Sequence, residues 1–342
     1  MTFGAFMAIC KTPFYKYIYL FLQSDLFFSQ LREVSGTTTI NQLTQNNFNG
    51  FLVPIPPVNE QERIVEFCST LMPYIERYGI AQDKLNELNI NLKPLLRKSI
   101  LQEAIQGKLV EQDPDDEPAS VLLERIKQEK ERLIKEKKIK RDKQESIIYR
   151  GDDNKYFEKR GKDVVCIDDE IPFEIPDSWS WCRIKDIFQI NPKNEAQDDA
   201  EAAFIPMEKI DATYLSSFTF ITKKWKDIKK GFTHFADGDV AFAKITPCFQ
   251  NRKSLILRNL PNGIGAGTTE LKVLRPYGKT IIKEYLLFFL ESPYFVDEAT
   301  FKGTANQQRI VSGYLENKLF PLPPLKEQRR IVDAVLSLWQ VL

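Results

Sequence analysis

The sequence predicts an α+β fold in which domains of mixed helix and short strands are joined to long coiled-coil helices. Three observations lead to this prediction. The chain contains a long internal repeat, each copy of the repeat enters a helix through a proline-rich segment, and the first of these helices carries a heptad pattern. In the second half, short apolar segments between Gly, Pro and Asn turns predict strands.

The repeat covers two stretches of similar sequence. GTANQQRIVSGYLENKLFPLPPLKEQRRIV begins at Gly303 and aligns without a gap on GTTTINQLTQNNFNGFLVPIPPVNEQERIV, which begins at Gly36. With the offset one residue larger, KTIIKEYLLFFLESPYFV from Lys279 aligns on KTPFYKYIYLFLQSDLFF from Lys11. A period of this length indicates a duplicated domain rather than a solenoid. Each copy is predicted to contain an apolar helix, a polar loop and a proline-rich exit.

The alignment also predicts the domain boundaries. Met1 corresponds to Thr269, so the part of the second copy between Pro176 and Thr269 has no counterpart in the first. We therefore expect the first domain to be represented only by its C-terminal remnant. The expected parts are this remnant (1–57), a long spacer helix (58–110), a charged helical arm and linker (111–172), a complete second domain (173–324) and the start of a second long helix (325–342).

The bulk composition is that of an ordinary globular protein. The chain has 342 residues, a net charge of +1 and 28 % charged residues, which fits about two domains. No apolar run approaches the ~20 residues of a membrane span, so we expect a cytoplasmic protein without membrane contact. The five cysteines are scattered and the chain has a single histidine, His234. This pattern does not suggest a clustered metal site.

The spacer helix is predicted from apolar residues that recur in sevens. Leu71, Tyr78, Leu85 and Leu92 form one row, and Tyr74, Ala81, Leu88 and Leu95 form the other. Such a stripe is typical of a helix that packs against a partner helix, and we expect partner contacts through Leu71, Tyr78, Leu85, Leu88, Leu92 and Leu95. Pro94 is expected to bend the helix, and Gly107 to cap it.

The arm and the second domain follow. A charged helix after Pro118 is expected to rest lightly on the rest of the chain, and 145–170 to be linker. Strands are predicted at Ala203–Ile205, Asp239–Ile245, Ser254–Leu257 and Glu270–Leu274.

The sequence offers no convincing catalytic constellation. It lacks the glycine-rich cofactor loop and the Asn/Asp-Pro-Pro-aromatic motif of an adenine or cytosine methyltransferase. A nuclease pattern is matched only formally by Pro114, Asp115, Glu136 and Lys138, and its Glu-x-Lys part lies in a predicted helix where Glu and Lys abound. GIGAGTTE from Gly263 lacks the lysine of a phosphate loop, and we expect it to be a turn into a strand. We therefore expect a protein without catalysis of its own.

Binding to a polyanion is better supported. Between Lys209 and Arg309 there are 16 Lys and Arg against 9 Asp and Glu. Five lysines surround Trp225 in the sequence: Lys223, Lys224, Lys226, Lys229 and Lys230. They suit contact with DNA phosphates, although a loop kept soluble by lysines has the same composition.

Two further segments carry side chains that suit DNA contact. Lys244 follows a predicted strand, and a turn contains Asn251, Arg252 and Lys253. The loop in the second copy of the repeat carries Thr304, Asn306, Gln307, Gln308 and Arg309. Asn, Gln and Arg pair with adenine and guanine edges, while amides in such a loop also cap backbone groups. Both interpretations remain open for this loop.

The chain resembles the specificity subunits of type I restriction–modification systems. The similarity lies in PIPPVNEQERIV and PLPPLKEQRRIV, in the central SILQEAIQGKLVEQDPDDEPASVLLERIKQEKERLIKE, in IPDSWSWCRIKDIF and in GDVAFAKITPCFQNRKS. Together, in this order and in duplicate, these segments are specific to the family. The resemblance covers nearly the whole chain.

The resemblance implies both an architecture and a function. Two target-recognition domains would each read one half of a split sequence in double-stranded DNA, separated by two antiparallel conserved helices. Modification subunits would bring S-adenosylmethionine and the methyltransferase site, and a restriction subunit would bring ATP and Mg²⁺, so no cofactor is expected on this chain. Self-association through the spacer helix is a further expectation. The alternative is a truncated coiled-coil scaffold, or a recombination-donor fragment, that reads no DNA.

Overall fold

The computed structural model describes residues 9–34, 45–142, 145–304, 307–311 and 313–342. The chain divides into two compact units, residues 1–91 and 92–342, which are described separately. In the first unit the helices are α1 (Tyr15–Leu22), α2 (Asp25–Val34), α3 (Gln45–Asn49) and the beginning of α4 (Val58–Ile105).

The first unit is held together around the proline-rich exit. The Tyr17 hydroxyl donates a hydrogen bond of 2.8 Å to the Pro54 carbonyl, and the Gln61 side chain donates one of 2.8 Å to the Pro56 carbonyl. Phe21 and Phe27 pack edge to face with their ring centroids 5.7 Å apart. These contacts fix α1, α2 and the start of α4 around one small aromatic core.

The long helix α4 extends through Pro94 as a single element. The predicted cap at Gly107 is confirmed: Gly107 has φ +71°, and the Lys108 N–H donates to the Glu103 carbonyl at 3.0 Å. Six heptad side chains that were expected to meet a partner helix are exposed to solvent, namely Leu71, Tyr78, Leu85, Leu88, Leu92 and Leu95. Their contact with a partner stays a prediction.

The second unit contains the end of α4, seven further helices and fifteen strands within its described residues. The helices are α5 (Ala119–Lys135), α6 (Ile184–Ile187), α7 (Trp225–Ile228), α8 (Lys283–Glu291), α9 (Pro293–Val296), α10 (Tyr314–Asn317) and α11 (Leu325–Val341). The strands are β1 (Ser146–Arg150), β2 (Tyr156–Arg160), β3 (Asp163–Cys166), β4 (Ser180–Arg183), β5 (Phe188–Ile190), β6 (Glu201–Ile205), β7 (Ile221–Lys224), β8 (Thr233–Ala236), β9 (Val240–Ala243), β10 (Ser254–Ile256), β11 (Ile264–Gly267), β12 (Leu271–Pro276), β13 (Phe301–Thr304), β14 (Gln307–Ile310) and β15 (Leu319–Leu322).

Two four-stranded sheets form the body of the second unit. One has the strand order β10-β9-β12-β5 and is antiparallel throughout. The other has the order β7-β6-β11-β8, in which only β6 and β11 are parallel. Together with the surrounding helices, this arrangement confirms the predicted α+β class.

Strand β11 corrects the expectation of a turn in the glycine-rich segment. A Cβ atom at Gly265 would overlap the Phe235 ring and lie 2.6 Å from the Ala203 carbonyl oxygen, and one at Gly267 would lie 2.6 Å from the Ile205 carbonyl oxygen. The glycines therefore permit close packing of neighbouring strands. They do not form a flexible loop.

Helix α8 is almost entirely buried, and its contacts repeat those of the first unit. The Tyr285 hydroxyl donates to the Pro321 carbonyl at 2.8 Å, and the Gln328 side chain donates to the Pro323 carbonyl at 3.1 Å. These four residues are the counterparts of Tyr17, Pro54, Gln61 and Pro56 in the alignment of the two copies. The duplication inferred from sequence is thus present as matching hydrogen bonds.

The arm and the linker differ from the sequence expectation. Helix α5 buries Ala119, Leu122 and Ile126 in the main core, so it is firmly packed. The segment expected to be linker forms an antiparallel sheet, β1-β2-β3. Within it, burial alone would raise the pKa of Glu158, but hydrogen bonds from Arg183, Arg160 and Ser146 lower it to about 2.

A buried carboxyl group ends helix α8. Glu291 is fully buried; it accepts hydrogen bonds from the Ser254 hydroxyl at 2.8 Å and from the Leu215 N–H at 3.1 Å. Burial raises its pKa to about 8 in spite of these hydrogen bonds. The folded state therefore holds a proton on this group at neutral pH, at which the unfolded chain has lost it.

This proton makes stability depend on pH. The pKa of Glu291 is higher in the folded state than in the unfolded chain, so its contribution to the free energy of unfolding is complete below the pKa of the unfolded chain. That contribution is lost as pH rises towards about 8. We expect Glu291→Gln to have a melting temperature that falls less than that of the wild type between pH 6 and pH 9. Glu284→Gln, on the same helix, is the control. Parallel pH profiles for wild type and Glu291→Gln would contradict the assignment.

Candidate nucleic-acid interface

The hairpin of β13 and β14 lies against the segment that contains Lys244. The Ile310 N–H donates to the Lys244 carbonyl at 3.0 Å, and the Thr246 N–H donates to the Gln308 carbonyl at 2.9 Å. Strand pairing places Thr304 opposite Gln307 at the end of the hairpin, and both are exposed. The structure therefore brings two of the predicted segments together. Asn306 lies outside the described residues.

Arg309 is not a free side chain in this hairpin. Its Nε and Nη2 atoms donate to the two carboxylate oxygens of Glu270 at 2.9 and 2.7 Å. The hydrogen bond from Arg309 lowers the pKa of Glu270, and the same pair raises the pKa of Arg309. The Glu270 carbonyl also accepts from the Lys244 N–H at 2.8 Å. Glu270 thus anchors the hairpin, a role that sequence reasoning missed.

The turn with Asn251, Arg252 and Lys253 is tied to the body of the second unit. Arg252 Nε donates to the Glu291 carbonyl at 2.9 Å, and its guanidinium carbon lies 5.1 Å from the centroid of the Tyr214 ring. Lys253 Nζ donates to the Met207 carbonyl at 3.1 Å. Of these three residues, Asn251 is exposed. Arg252 and Lys253 therefore have structural partners that are available in the absence of DNA.

The lysine cluster around Trp225 has acidic neighbours that are distant in sequence. Lys224 and Lys226 lie 3.3 and 3.1 Å from the Asp199 carboxylate, and Lys229 lies 2.6 Å from that of Asp198. The hydrogen bond from Lys229 lowers the pKa of Asp198. These contacts reduce the positive potential that the sequence suggests.

The remaining members of the cluster have different surroundings. Lys223 Nζ lies 4.2 Å from the centroid of the Phe204 ring, whereas Lys230 is exposed and Trp225 is buried. No hydrogen bond or strand pairing between described residues joins this cluster to the hairpin. The structure thus gives two separate candidate surfaces.

His234 has a structural role. Its Nδ1 atom accepts from the Asn194 N–H at 3.2 Å, and its Nε2 atom is 2.9 Å from the Lys229 carbonyl. The ring packs against Trp225 with the centroids 4.7 Å apart. Burial lowers its pKa. The imidazole holds the segment after α7 in place.

A third surface was not found from the sequence. A cleft of about 830 Å³ lies beside the first turns of α8 and α11. Its lining includes four exposed cations for which the described residues provide no ion-pair partner: Lys279, Lys283, Lys326 and Arg329. These residues are spread over fifty positions, and only folding brings them together. We refer to them as the cationic cleft.

The internal repeat shows that the fold does not require this charge. Lys279 has Lys11 as its counterpart in the first copy. Lys283 corresponds to Tyr15, Lys326 to Asn59 and Arg329 to Glu62, none of which is a cation. Both copies nevertheless begin their two apolar helices at the same alignment positions and form the same exit contacts. Three of the four charges are thus particular to the second unit.

The described part of the chain shows neither a metal-binding cluster nor a membrane-spanning helix. In these residues no cluster of three or more His, Cys, Asp or Glu side chains is arranged to hold a metal ion. The helices described here do not include one with the length and apolar character needed to cross a membrane.

Comparison with known proteins identifies the family. The family model of the type I restriction modification DNA specificity domain matches residues 6–89 and 176–339. The chain belongs to this family. The two matched ranges contain the two copies of the repeat and, in the second, both four-stranded sheets.

Two relatives from Escherichia coli show the extent of the similarity. The chain is 47 % identical over 240 residues to the type I restriction enzyme EcoAI specificity subunit, and 44 % identical over 246 residues to the EcoEI specificity subunit. The matches cover 69 % and 71 % of this chain but 38 % of each relative. The matched part of the chain therefore covers well under half the length of each relative.

One solved structure that the chain matches over most of its length is the HsdS subunit from Thermoanaerobacter tengcongensis. It is 19 % identical, the match covers 95 % of this chain and 62 % of that one, and the TM-score is 0.41.

The anchoring role of Glu270 is testable by hydrogen exchange. Glu270→Gln removes the charge that holds Arg309 in a partly exposed ion pair. We therefore expect amide exchange in residues 307–310 to become up to about fivefold faster. Glu208→Gln, at an exposed site elsewhere in the unit, should leave it unchanged. Unaltered exchange in Glu270→Gln would show that the backbone bonds alone hold the hairpin.

Proposed function

We propose that the chain is a DNA sequence-specificity subunit of a type I restriction–modification complex. In this proposal the second domain reads one half-site of a bipartite target in double-stranded DNA. The observation that carries the proposal is the family match over residues 176–339. This range contains both four-stranded sheets and the hairpin of β13 and β14, whose end is exposed. The chain would act in the cytoplasm, where it meets DNA.

The geometry supports separate roles for two kinds of surface, one that contacts DNA bases and one that contacts DNA phosphates. Thr304 and Gln307 lie exposed at the end of a two-stranded hairpin, an element that fits the major groove. The lysine cluster and the cationic cleft carry charges that suit phosphate oxygens. Three lysines of the cluster are ion-paired with acidic residues, whereas the four cleft cations form no ion pair with a described residue, although Asp237, Asp239 and Glu284 also line the cleft. We therefore assign the larger share of phosphate contact to the cleft.

The exposed seam of α4 supports docking of other subunits. Six apolar heptad side chains face solvent along one helix, and such surfaces promote association. We propose that modification and restriction subunits dock on the chain, with self-association as a further use of the seam. S-adenosylmethionine, ATP and Mg²⁺ would be bound by the partner subunits, and this chain would supply no catalytic group.

The same seam is the observation that favours the alternative function. A scaffold would use the helix to assemble subunits without any base contact from the second unit. Retention of DNA by the complex, and its dependence on the hairpin, separates the two functions.

Methylome sequencing tests the proposal as a whole. A host that expresses this chain with a matching modification subunit should gain methylation at one defined sequence.

Transfer of residues 173–324 into another specificity subunit should carry one half-site with it, since the domain is bounded by the edges of the repeat. If the recipient keeps its original target, the domain assignment is wrong. If neither the host with this chain nor a host with the recipient subunit gains new methylation while the complex still assembles, the scaffold function is supported.

A salt titration separates the three surfaces. Each phosphate contact contributes about −0.9 to the slope of log K against log salt. Replacing the four cleft cations with Gln should flatten the slope by roughly 2–3, if two or three contacts are lost. The same replacement of the five lysines (Lys223, Lys224, Lys226, Lys229 and Lys230) should flatten it less. In both variants affinity should fall for all sequences alike.

The hairpin variants should behave differently in a randomised-site binding assay. Gln307→Ala and Arg309→Ala should relax preference at one or two positions and leave the slope nearly intact, since a bidentate base contact discriminates by about 1–3 kcal/mol. The complex with the modification subunit is the sample in every case. A cleft variant that changes base preference, with hairpin variants that lose only general affinity, would reverse the assigned roles.

A further inference from the structure

The sheet β1-β2-β3 has one face packed on the second unit and one face open to solvent. On the packed face, the Ser146 hydroxyl donates to the Asp186 carboxylate at 2.7 Å, and the Glu158 carboxylate accepts from the Arg183 guanidinium at 2.9 Å. The sheet lies between the two ranges that the family model matches. The proposed function therefore assigns no role to its open face.

The strand register shows which side chains share the open face. Residues directly opposite each other in an antiparallel pair lie on the same side of the sheet. Ile147 pairs with Lys159 and Lys159 with Val164, while Tyr149 pairs with Phe157. Ile147, Tyr149 and Val164 are 54 %, 43 % and 51 % exposed. These five side chains therefore form one surface, which we call the platform.

Two aromatic rings belong to the platform. The rings of Tyr149 and Phe157 stack with their centroids 6.0 Å apart and their planes inclined by 26°. Phe157 also lies against the turn that follows β1, because a Cβ atom at Gly151 would come within 2.8 Å of its ring. These contacts leave Phe157 half-buried, whereas Tyr149 keeps more of its surface exposed. An exposed aromatic ring can stack on a planar group of a ligand.

The charge on and beside the platform is positive. Lys159 is exposed on the platform, and Lys155 and Lys162 are exposed in the turns that precede and follow β2. The N–H of Gly151 donates to the Lys155 carbonyl at 2.8 Å, which extends the register by one pair and places Lys155 on the same side of the sheet as Phe157. The three lysines form no ion pair with a described residue.

The acidic residues of this segment lie off the platform. By the same register, Glu158 and Asp163 belong to the packed side of the sheet. Asp152 and Asp153 lie in the turn between β1 and β2, where the Asp153 carboxylate accepts from the backbone N–H of Lys155 at 3.3 Å. The platform thus combines aromatic rings with cations and carries no carboxylate.

We propose that the platform is a binding site for single-stranded nucleic acid. An unpaired base would stack on Tyr149, and the phosphates on either side of it would meet Lys155 and Lys159. These two lysines are four positions apart, about 13 Å at ~3.3 Å per residue, so a strand can pass over the aromatic pair between them. Aromatic rings interleaved with cations hold unpaired bases without strong sequence preference. The site is separate from the surfaces assigned to duplex DNA.

The chemistry of the platform favours unpaired bases over other partners. A duplex presents base edges in its grooves and phosphates on its outside, so it offers Tyr149 no base face. A protein partner would bury Lys159, and an ammonium group without a counter-charge is costly to bury. A second copy of the same face would place lysine against lysine, which disfavours association. A single strand supplies both a stacking surface and phosphates.

The test is binding of an oligothymidylate to the full chain, followed by fluorescence anisotropy. The probe is a fluorescein-labelled strand of about 12 nucleotides, within the range of site sizes of single-strand binding folds. Tyr149→Ala should weaken binding by about fivefold or more, since the stacking of one base is lost, and Tyr149→Trp should retain it. Replacing Lys155, Lys159 and Lys162 with Gln should flatten the slope of log K against log salt by about 2, at ~0.7 per phosphate.

Matched controls separate the platform from the surfaces assigned to duplex DNA. Tyr19→Ala removes a tyrosine that is 62 % exposed on α1, and it should leave oligothymidylate binding unchanged. Replacing the four cations of the cationic cleft with Gln should weaken the binding of a duplex of the same length more than that of the oligothymidylate. Because Tyr149 is exposed, Tyr149→Ala should change the melting temperature little.

Three results would overturn the proposal. The first is no saturable binding of the oligothymidylate, or binding that Tyr149→Ala does not weaken. The second is equal competition by the duplex, which would indicate a general affinity for phosphates. The third is a Tyr149→Ala variant that assembles poorly with the modification subunit but still binds the oligothymidylate, which would make the platform a protein interface. A chain that binds the oligothymidylate through Tyr149 but no duplex would support the platform and count against the proposed function.

Discussion

Each unit depends on hydrogen bonds to the carbonyl groups of its proline-rich exit. Prolines set an extended backbone and remove N–H donors, so the exit has carbonyl groups to satisfy and few donors with which to pair in a regular ladder. A tyrosine from the preceding helix and a glutamine from the first turn of the following helix supply the missing bonds: Tyr17 and Gln61 in one unit, Tyr285 and Gln328 in the other. The exit is thereby bonded to the helix before it and the helix after it. This explains why the pattern PxPP…EQxR is the best preserved part of the repeat.

The candidate DNA surface shows how folding changes the meaning of a charged residue. Arg309 looks like a base-reading side chain in the sequence, yet in the structure its guanidinium pairs with Glu270. Three lysines of the cluster likewise meet Asp198 and Asp199. An ion pair at an exposed site contributes little to stability, so a phosphate can replace the acid at small cost. The three paired lysines are thus held in position for a competing phosphate, while the exposed Gln307 has no ion pair to break.

Features that depend on residues close together in the sequence could be predicted, whereas features that depend on contacts between distant residues could not. The long helix α4, its cap at Gly107 and the α+β class follow from local periodicity and from the repeat, and the structure agrees. The firm packing of α5 and the sheet β1-β2-β3 were missed because their charged residues find partners elsewhere in the fold. Glu158, for example, meets Arg183, twenty-five positions away, in a buried pair. The cationic cleft was missed for the same reason, since its members lie on separate elements.

The internal repeat provides a control that a single domain would lack. Residues that both copies share and use in the same way, such as Gln61 and Gln328, belong to the fold. Residues that differ while the local structure stays the same, such as Tyr15 and Lys283 at the start of α1 and α8, are free to serve another purpose. By this criterion the charges of the cationic cleft are additions to the second unit. The apolar residues of the exit segment, such as Leu52 and its counterpart Leu319, are in contrast present in both copies and belong to the shared fold.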